Sequence, residues 1–398
     1  MGRGKSSAAI NYMNQHADEK RFLYITPFLK EVTRVCKQCL GFVQPDDQHS
    51  SKSRNIKDLF HEGQNIAATH SLFYLLDDEA LEVIKEKEYC LIADESISVI
   101  SQVQITPHDL RSLTEFYLDI DRAGRVSWRE AKYNGVFRGY KALADSSSLY
   151  YFNSVLLNIL NPNILRAFDE VFMLTYLFDG QYQKGYLDYY GFEYRVIGIE
   201  EDPYAGYWFA DRPDDPPPID YKRLIHIVDS PRMNKAGDDK FALSKQWYLR
   251  RDYNDPEVRS LRNGMRNFFD NINTSNSRNR IWTCFKDDSD KLIDMKSGRF
   301  RGNFLQIEAR ASNDYRGKRY LAYMANRFVH PSLKIFFGQK GCVIDEDKFA
   351  LSEMLQWIWR SAIRVEKPIE LYLPSSRMRK LLVDWMDSNS KGGMTIEI

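Results

Sequence analysis

Gly2-Arg3-Gly4-Lys5-Ser6-Ser7 opens the segment SSAAINYMNQHA, whose pattern predicts a helix. Glycines let backbone N–H groups curl around phosphate oxygens, a lysine reaches the β- and γ-phosphates, and a hydroxyl holds Mg²⁺. We therefore expect both glycines, Lys5, Ser6 and Ser7 to bind the phosphates of ATP, with Ser6 also a ligand of Mg²⁺. A pattern this short also arises by chance, and the alternative is a disordered basic segment.

This phosphate loop lacks part of its usual pattern. The full pattern, G-x-x-x-x-G-K-[ST], has an earlier glycine and follows a strand that feeds the loop. Here Met1 directly precedes Gly2, so the sequence contains neither feature. The sequence therefore predicts a first domain without its first strand: either the true start lies upstream, or the phosphate cradle is incomplete.

Strand and helix patterns alternate after the loop. RFLYITPF and the run Tyr89–Ala93 predict buried strands, and LKEVTRVCKQCL predicts a helix. EVFMLTYLFDG (Glu170–Gly180) predicts a further strand, whereas Gln102–Leu165 is predicted to be a mainly helical insertion. Strands that alternate with helices indicate a parallel sheet covered on both faces, so the expected fold class is α/β.

The second half repeats this alternation after a break. Gly198–Asp220 is rich in Pro, Gly and Asp and predicts a linker or surface loop. We therefore expect two domains, 1–200 and 201–398. The strands predicted beyond the break are RLIHIVD, NRIWTCFKD, NFLQIEARASN and IELYLP, and the helices are LSKQWYLRR, EVRSLRNGMRNFFDNI, KRYLAYMANRFVHPSLKIFF, FALSEMLQWIWRSAIR and SRMRKLLVDWM.

Two acids end the predicted strand Tyr89–Ala93. Asp94 and Glu95 would stand at the carboxyl end of a parallel strand, beside the phosphate loop, where carboxylates bind Mg²⁺ and activate an attacking water. We expect Asp94 to hold the metal, directly or through water, and Glu95 to orient or deprotonate the attacking water. The alternative is a helix N-terminus at which acids are favourable.

A second set of polar residues lies near the other end of the chain. Gln356, Arg360 and Arg364 recur at i, i+4 and i+8, so a helix would place them on one face. Phosphoryl transfer gathers negative charge on the equatorial oxygens, and an arginine from a facing domain stabilises that charge. The alternative is an amphipathic helix with a solvated basic face.

Composition limits the remaining possibilities. The 398 residues carry a net charge of only +1, so any nucleic-acid site must be a local patch. Charges interrupt every apolar run, so we expect no membrane-spanning segment. Five cysteines without a signal sequence fit a reducing cytoplasm. The Cys36–Cys39 pair lacks a second ligand pair, which favours reduced thiols over zinc.

These motifs resemble those of superfamily 2 helicases, and more closely those of DEAD/DEAH-like helicase proteins of phages and mobile elements. The resemblance covers nearly the whole chain. GRGKSS is similar to motif I, ADES (Ala93–Ser96) to motif II, and QWIWRSAIR (Gln356–Arg364) to motif VI. The other matching segments are YITPFLKEV for motif Ia, ATHSLF for Ib, LTYLFDG for III, WTCFK for IV and EARASNDYR for V.

Two of these motifs depart from the family pattern. LTYLFDG replaces the usual Ser-Ala-Thr of motif III. Trp359 stands where motif VI usually has a glycine, and the second arginine usually comes one residue earlier. Whether Arg360 or Arg364 acts as the arginine finger therefore stays open.

The resemblance implies two RecA-like lobes with ATP in the cleft between them. ATP binding would close the lobes and hydrolysis would release them, which would drive movement on single-stranded DNA or RNA. It further implies work in phage or mobile-element DNA replication or processing, other replication proteins as partners, and the bacterial host cytoplasm. The implied sequence-independent phosphate contacts are Thr26, Thr69 and His70 in the first lobe, and Ser312, Asn313 and Arg316 in the second.

Two other functions remain open at this point. A non-catalytic nucleic-acid-binding protein would keep the fold and bind a strand without ATP turnover. Another ATP motor, such as a restriction translocase or DNA-packaging ATPase, would also carry these motifs. The locally basic run Arg250, Arg251, Arg259, Arg262 and Arg266 fits either nucleic acid or a solvated helix face.

Overall fold

The protein is built around two parallel β-sheets, each flanked by helices. A computed structural model describes residues 4–47, 51–211, 219–295, 297–309 and 313–389. Among these residues, no helix is both long and apolar enough to cross a membrane.

The first lobe begins with a helix and continues as alternating strands and helices. Its sheet is parallel throughout and includes a later strand, β10 (Glu170–Leu174), at one edge. The elements up to the predicted acids are α1 (Lys5–Gln15), β1 (Arg21–Thr26), α2 (Leu29–Gln38), β2 (Phe42–Val43), α3 (Lys52–Glu62), β3 (Asn65–Thr69), α4 (His70–Phe73), α5 (Asp78–Glu86) and β4 (Tyr89–Asp94). The strand order is β10-β4-β1-β3-β2, so the strand that ends in Asp94 lies beside β10 and β1.

The insertion between β4 and β10 is not mainly helical, and that prediction was wrong. It contains two antiparallel sheets. The sequence did not predict them because their strands are only three to five residues long and give no sustained alternation of apolar and polar residues. Its elements are β5 (Ile100–Gln102), α6 (Pro107–Ser112), β6 (Leu118–Ile120), β7 (Val126–Trp128), α7 (Arg138–Asp145), β8 (Leu149–Phe152), β9 (Val155–Ile159) and α8 (Pro162–Arg166).

A hairpin occupies much of the segment predicted as a linker. After α9 (Tyr182–Tyr190), the strands β11 (Gly198–Asp202) and β12 (Gly206–Ala210) pair in antiparallel register. The Phe209 ring packs on the first lobe, stacked on Phe172 of β10. Tertiary contact thus overrides the turn-rich composition. Pro216–Pro218 lie outside the described residues.

The second lobe is a four-stranded parallel sheet in the order β13-β16-β15-β14. Its elements are α10 (Tyr221–Leu224), β13 (Ile225–Ile227), α11 (Pro231–Asn234), α12 (Lys245–Leu249), α13 (Pro256–Asn267), β14 (Arg280–Thr283), β15 (Tyr320–Tyr323), α14 (Pro331–Gly338), α15 (Glu346–Ile358), β16 (Ile369–Tyr372) and α16 (Ser376–Asn389). The predicted α/β class, with two parallel sheets flanked by helices, is confirmed.

Two predicted elements of the second lobe were wrong. The single helix expected over KRYLAYMANRFVHPSLKIFF is the strand β15 followed by the helix α14. Residues 321–325 are all buried, because helices or loops cover both faces of this central strand. A fully buried strand reads as an unbroken apolar run, which periodicity does not separate from a helix. The strand expected over NFLQIEARASN is only an isolated bridge from Phe304 to Trp282 in its described part.

The connection from β15 to β16 joins the two lobes through apolar contacts. Its helix α14 and the start of α15 bury Phe336, Phe337 and Phe349 within the core of the first lobe. These rings meet Tyr182 and Tyr189 of α9. We call these five residues the apolar junction.

Candidate functional site

A cleft of about 830 Å³ lies between the two lobes. It brings together predicted residues from both ends of the chain. From the first lobe it is lined by Gly4, Lys5, Ser6, Ser7, Asp94 and Glu95, and from the second by Arg316, Gln356, Arg360 and Arg364.

The predicted phosphate loop opens the helix α1, as expected. Gly4 is the N-cap and has a left-handed backbone with φ of 75°, a conformation that glycine adopts without steric cost. The first backbone N–H groups of a helix point along its axis toward the N-terminal end and have no intrahelical partner, which is the geometry that favours an anion there. Gly2 lies outside the described residues.

The Asp94 carboxylate is the polar centre of the first-lobe side. The Ser6 hydroxyl lies 3.1 Å from each of its oxygens, and the Tyr24 hydroxyl donates to Oδ2 at 2.7 Å. Burial and the charge of Asp94 raise the pKa of Tyr24 well above its usual range, so the phenol stays a donor. Burial also raises the pKa of Asp94, while these two hydrogen bonds act in the opposite direction.

The donor set at Asp94 fits a bound Mg²⁺ ion. Mg²⁺ is held in proteins by one or two carboxylates, with the remaining ligands coming from water and substrate phosphates. Ser6 and Asp94 supply one hydroxyl and one carboxylate that already converge. Within the described part of the chain, no group of three or more His, Cys, Asp and Glu side chains could hold a metal by itself.

Glu95 has a strained backbone. Its φ is 65°, a left-handed conformation that costs an ordinary residue roughly 1–2 kcal/mol. Strain of this kind persists only where surrounding structure enforces it, and it is concentrated at functional sites. Here the strained residue comes immediately after the end of β4, and its half-buried side chain lines the cleft.

The predicted single helix that carries both arginines was wrong. The helix α15 ends at Ile358, and Arg364 lies in a separate 3-10 helix over Ala362–Val365. The chain turns because Ser361 is extended, its hydroxyl bonds back to Ile358, and the Ala362 N–H donates to Lys318 across the lobe. Gln356, Arg360 and Arg364 nevertheless line the same cleft.

The two arginines differ in their surroundings. Arg360 is 6% exposed, and its Nη1 donates to the Ile307 carbonyl at 3.0 Å. Its Nε has no hydrogen-bond partner among the described residues. Burial lowers the pKa of Arg360, and the negative charge of Glu95 is the largest opposing influence. Arg364 is exposed. Arg360 is therefore buried, whereas Arg364 is exposed, and Arg360 lines the same cleft as Glu95.

The residues predicted to touch nucleic acid have different surroundings from those expected. His70 is 1% exposed and donates from Nε2 to the Asp94 carbonyl at 3.1 Å, since a carbonyl only accepts. Thr26 is also 1% exposed. Both side chains therefore expose almost no surface, although Thr26 lines the cleft. Thr69 is half-buried, and Arg316 is exposed at the cleft. Ser312 and the Asn313 side chain lie outside the described residues.

Sequence reasoning missed a hydrogen-bonded link behind Glu95. The buried Gln181 side chain accepts from the hydroxyls of Ser96 at 2.6 Å and Thr175 at 2.8 Å, and donates to the Tyr176 carbonyl at 2.7 Å. This link ties the loop after β4 to the loop after β10. Tyr24 was missed for the same reason: both residues act across the sheet, where sequence spacing gives no signal.

Part of the basic run before Phe268 is structural. The Arg251 guanidinium bonds the Glu257 carboxylate and lies 4.2 Å from the Trp247 ring centroid. Arg262 lies 3.8 Å from the centroid of Tyr253. Arg250, Arg259 and Arg266 are exposed. All five cysteines are free thiols.

Two solved structures have a coarse likeness to this chain. The solved structure "XPD_Helicase" has a TM-score of 0.40 and 11% identity, with 96% of this chain and 89% of that chain covered. "Structure of S. tokodaii Xpd4" has a TM-score of 0.45 and 12% identity, with 98% and 94% covered. At these scores the likeness is coarse, and nothing about activity follows from it.

Sequence comparison identifies the family. The model described as "YonV C-terminal Rossmann-like domain" matches residues 219–386, and the "YonV middle domain" matches residues 100–159. The "SPbeta prophage-derived uncharacterized protein YonV" of Bacillus subtilis (strain 168) is 37% identical over 407 residues, which cover 98% of this chain and 97% of that protein. The chain belongs to the YonV family.

Proposed function

We propose that this protein binds ATP with Mg²⁺ in the interlobe cleft and hydrolyses it as a helicase-like or translocase-like motor on nucleic acid. The observation that carries the proposal is that one cleft is lined by Lys5, Ser6 and Glu95 from one lobe and by Gln356 and Arg360 from the other. The cleft volume of about 830 Å³ lies within the range of roughly 300–1,000 Å³ found for small-molecule sites.

The triphosphate would bind at the N-terminus of α1. Backbone N–H groups at the start of α1 and the positive end of the helix dipole would attract phosphate oxygens. Lys5 would reach the β- and γ-phosphates. Ser6 and Asp94 would hold Mg²⁺, which neutralises phosphate charge when bound.

Hydrolysis would use residues from both lobes. Glu95 would orient the attacking water and accept its proton as the new oxygen–phosphorus bond forms and the bond to the leaving ADP breaks. The Arg360 guanidinium would stabilise the charge on the transferred group, assisted by Arg364 and Gln356. The unpartnered Nε of Arg360 supports this role, because a buried donor without a partner is costly unless a ligand engages it.

Nucleic acid is the proposed partner of this motor. The support is the resemblance of the sequence motifs to helicases, and the prophage origin printed in the name of the 37% identical relative supports a phage setting. The contacts that remain candidates are Thr69, Ser312, Asn313 and Arg316, and a host cytoplasm is the proposed location.

The test is phosphate release by the purified full chain with MgATP, with and without single-stranded DNA or RNA. We expect turnover to rise with nucleic acid, and Glu95→Gln to lower it by about 10²–10⁴-fold, since it removes the general base. Lys5→Ala should also abolish turnover, because phosphate binding is lost. The matched controls are Glu86→Gln and Lys37→Ala, two exposed positions outside the cleft.

Each outcome has a defined meaning. Turnover that persists in both cleft variants would contradict the proposal. Binding of a single strand and of MgATP with no turnover by the unaltered chain would favour the non-catalytic alternative. Turnover that double-stranded DNA alone stimulates would favour a different DNA motor.

A further inference from the structure

The hairpin β11–β12 contacts Gly4 on the side of the loop that does not line the cleft. A Cβ atom added to Gly4 would lie 2.3 Å from both Cγ and Cδ1 of Tyr207. The Tyr207 ring therefore lies directly against the Gly4 backbone. Gly4 is required here twice, for its left-handed φ of 75° and for this close approach.

The hairpin is anchored to the helix that the loop opens. The Asn11 side chain of α1 donates to the backbone carbonyl of Tyr207 at 2.9 Å and to that of Ala205 at 3.4 Å. Glu201 lies opposite Tyr207 in the hairpin register, and it raises the pKa of the Tyr207 hydroxyl. Tyr207 is thus held to α1 through its backbone, while its ring packs on Gly4.

The hairpin is also anchored to the edge of the sheet. Phe209 stacks on Phe172 with ring centroids 5.2 Å apart and planes inclined by 4°. Phe172 belongs to β10, which is the edge strand of this sheet in the described residues. The Tyr12 ring of α1 completes the contact, 5.6 Å from Phe209. The hairpin therefore spans from the sheet edge to the start of α1.

The ring of Tyr207 supports the loop from outside the cleft. The cleft is lined by the loop residues Gly4, Lys5, Ser6 and Ser7. Tyr207 does not belong to the described residues that line it. The ring thus leaves the space in front of the helix N-terminus open.

We propose that the hairpin β11–β12 fixes the loop at Gly4 to the first-lobe sheet, with Tyr207 as a positioning residue that holds Gly4 so that the following N–H groups face the phosphates. This inference rests on the proposed ATP site. A preorganised loop binds more tightly because less ordering is needed on binding.

The test measures MgADP affinity by titration calorimetry on the full chain, together with the thermal unfolding midpoint. Tyr207→Ala should weaken MgADP binding by about ten-fold, because a loosened loop must be ordered on binding. Tyr207→Phe keeps the ring and should bind within two-fold of the unaltered protein. Asn11→Ala should weaken binding in the same direction but less.

Two controls separate support of the loop from general stability. Met13→Ala empties a buried position on α1 away from the loop, and should lower the midpoint while leaving MgADP affinity within two-fold. Tyr204→Ala, at a fully exposed position of the same hairpin, should change neither.

The failures are distinguishable. If the unaltered protein binds MgADP and Tyr207→Ala binds it equally well, the inference is overturned while the proposed function stands. The inference is also overturned if Tyr207→Ala and Met13→Ala lose affinity in proportion to their midpoints. If the folded, unaltered protein binds neither MgADP nor inorganic tripolyphosphate, the proposed function fails, and the inference fails with it.

Discussion

The two lobes meet in two places that differ in chemistry. At the apolar junction Phe336 stacks on Tyr189 with centroids 4.6 Å apart and meets Phe152 edge-on at 5.5 Å. At the cleft, charged and hydroxyl side chains, together with apolar ones such as Phe28 and Trp359, surround a space of about 830 Å³. Buried apolar contact holds elements together, while charges beside a cavity cost free energy unless they are paired or a ligand engages them. We infer that the junction fixes the spacing of the lobes and that the cleft depends on this spacing.

One helix connects these two regions. The helix α15 carries Phe349 near its start, at the junction, and ends at Ile358, two residues before Arg360. Its 13 residues span roughly 20 Å at about 1.5 Å per residue. At Gly180 the first lobe approaches α15 so closely that a Cβ atom would lie 2.4 Å from the Lys348 carbonyl. A displacement at the junction would therefore move the arginine.

The largest effect is expected at the cleft end of this connection. Arg360→Ala should lower ATP turnover by about 10³-fold or more, the scale of an arginine finger, with a much smaller change in MgADP affinity. Arg364→Ala should cost less than ten-fold, because this side chain is exposed. Single-turnover phosphate release measures the turnover of both variants. Arg360→Lys keeps the positive charge and is the second variant to use if Arg360→Ala does not fold. Equal losses at the two positions would contradict the assignment to Arg360.

The next effect is expected at the junction itself. Phe336→Ala should lower the free energy of unfolding by about 3–5 kcal/mol, the usual cost of emptying a buried aromatic site. Turnover per folded molecule should fall as well, because α15 loses its anchor. Urea unfolding and steady-state assays measure the two quantities. Phe116→Ala, at a position 60% exposed, is the control and should change neither. Unchanged turnover in folded Phe336→Ala would contradict the inference that the cleft depends on the apolar junction.

The smallest effect is expected at the hydroxyl that holds Asp94. Tyr24→Phe removes one hydrogen bond to a carboxylate and should raise the Mg²⁺ concentration for half-maximal turnover by about 3- to 10-fold. Tyr12→Phe removes a comparable hydroxyl–carboxylate bond, to Glu170, and should leave the Mg²⁺ dependence unchanged. A Mg²⁺ titration at saturating ATP checks both. Equal shifts in the two variants would argue against a specific role for Tyr24.

Sequence patterns predicted the parts of this architecture that depend on local rules. An apolar run ending in Asp94 and Glu95 predicts a buried strand with acids at its carboxyl end, and β4 ends at Asp94. Glycine before Lys5 and Ser6 predicts the start of a helix, and α1 begins at Lys5. The fold then brings these two segments together, since the Ser6 hydroxyl lies 3.1 Å from each Asp94 carboxylate oxygen.

The parts that the sequence did not predict depend on contacts distant in the chain. Residues 321–325 form a central strand, which periodicity does not separate from a helix. The hairpin near Tyr207 is held by Asn11, almost two hundred positions away. His70 follows the strand β3, yet its side chain is buried and bonds the Asp94 carbonyl. Gln181 joins Ser96 to Thr175 only once the sheet has formed.

The most direct measurement is a crystal structure of the full chain with MgADP and aluminium fluoride, which mimics the transferred phosphoryl group. The β-phosphate should lie against the N–H groups that follow Gly4, and the Arg360 guanidinium should be in hydrogen-bond contact with the fluoride group. A nucleotide bound away from Lys5, or an Arg360 side chain that stays on Ile307 and out of reach of the fluoride, would contradict it.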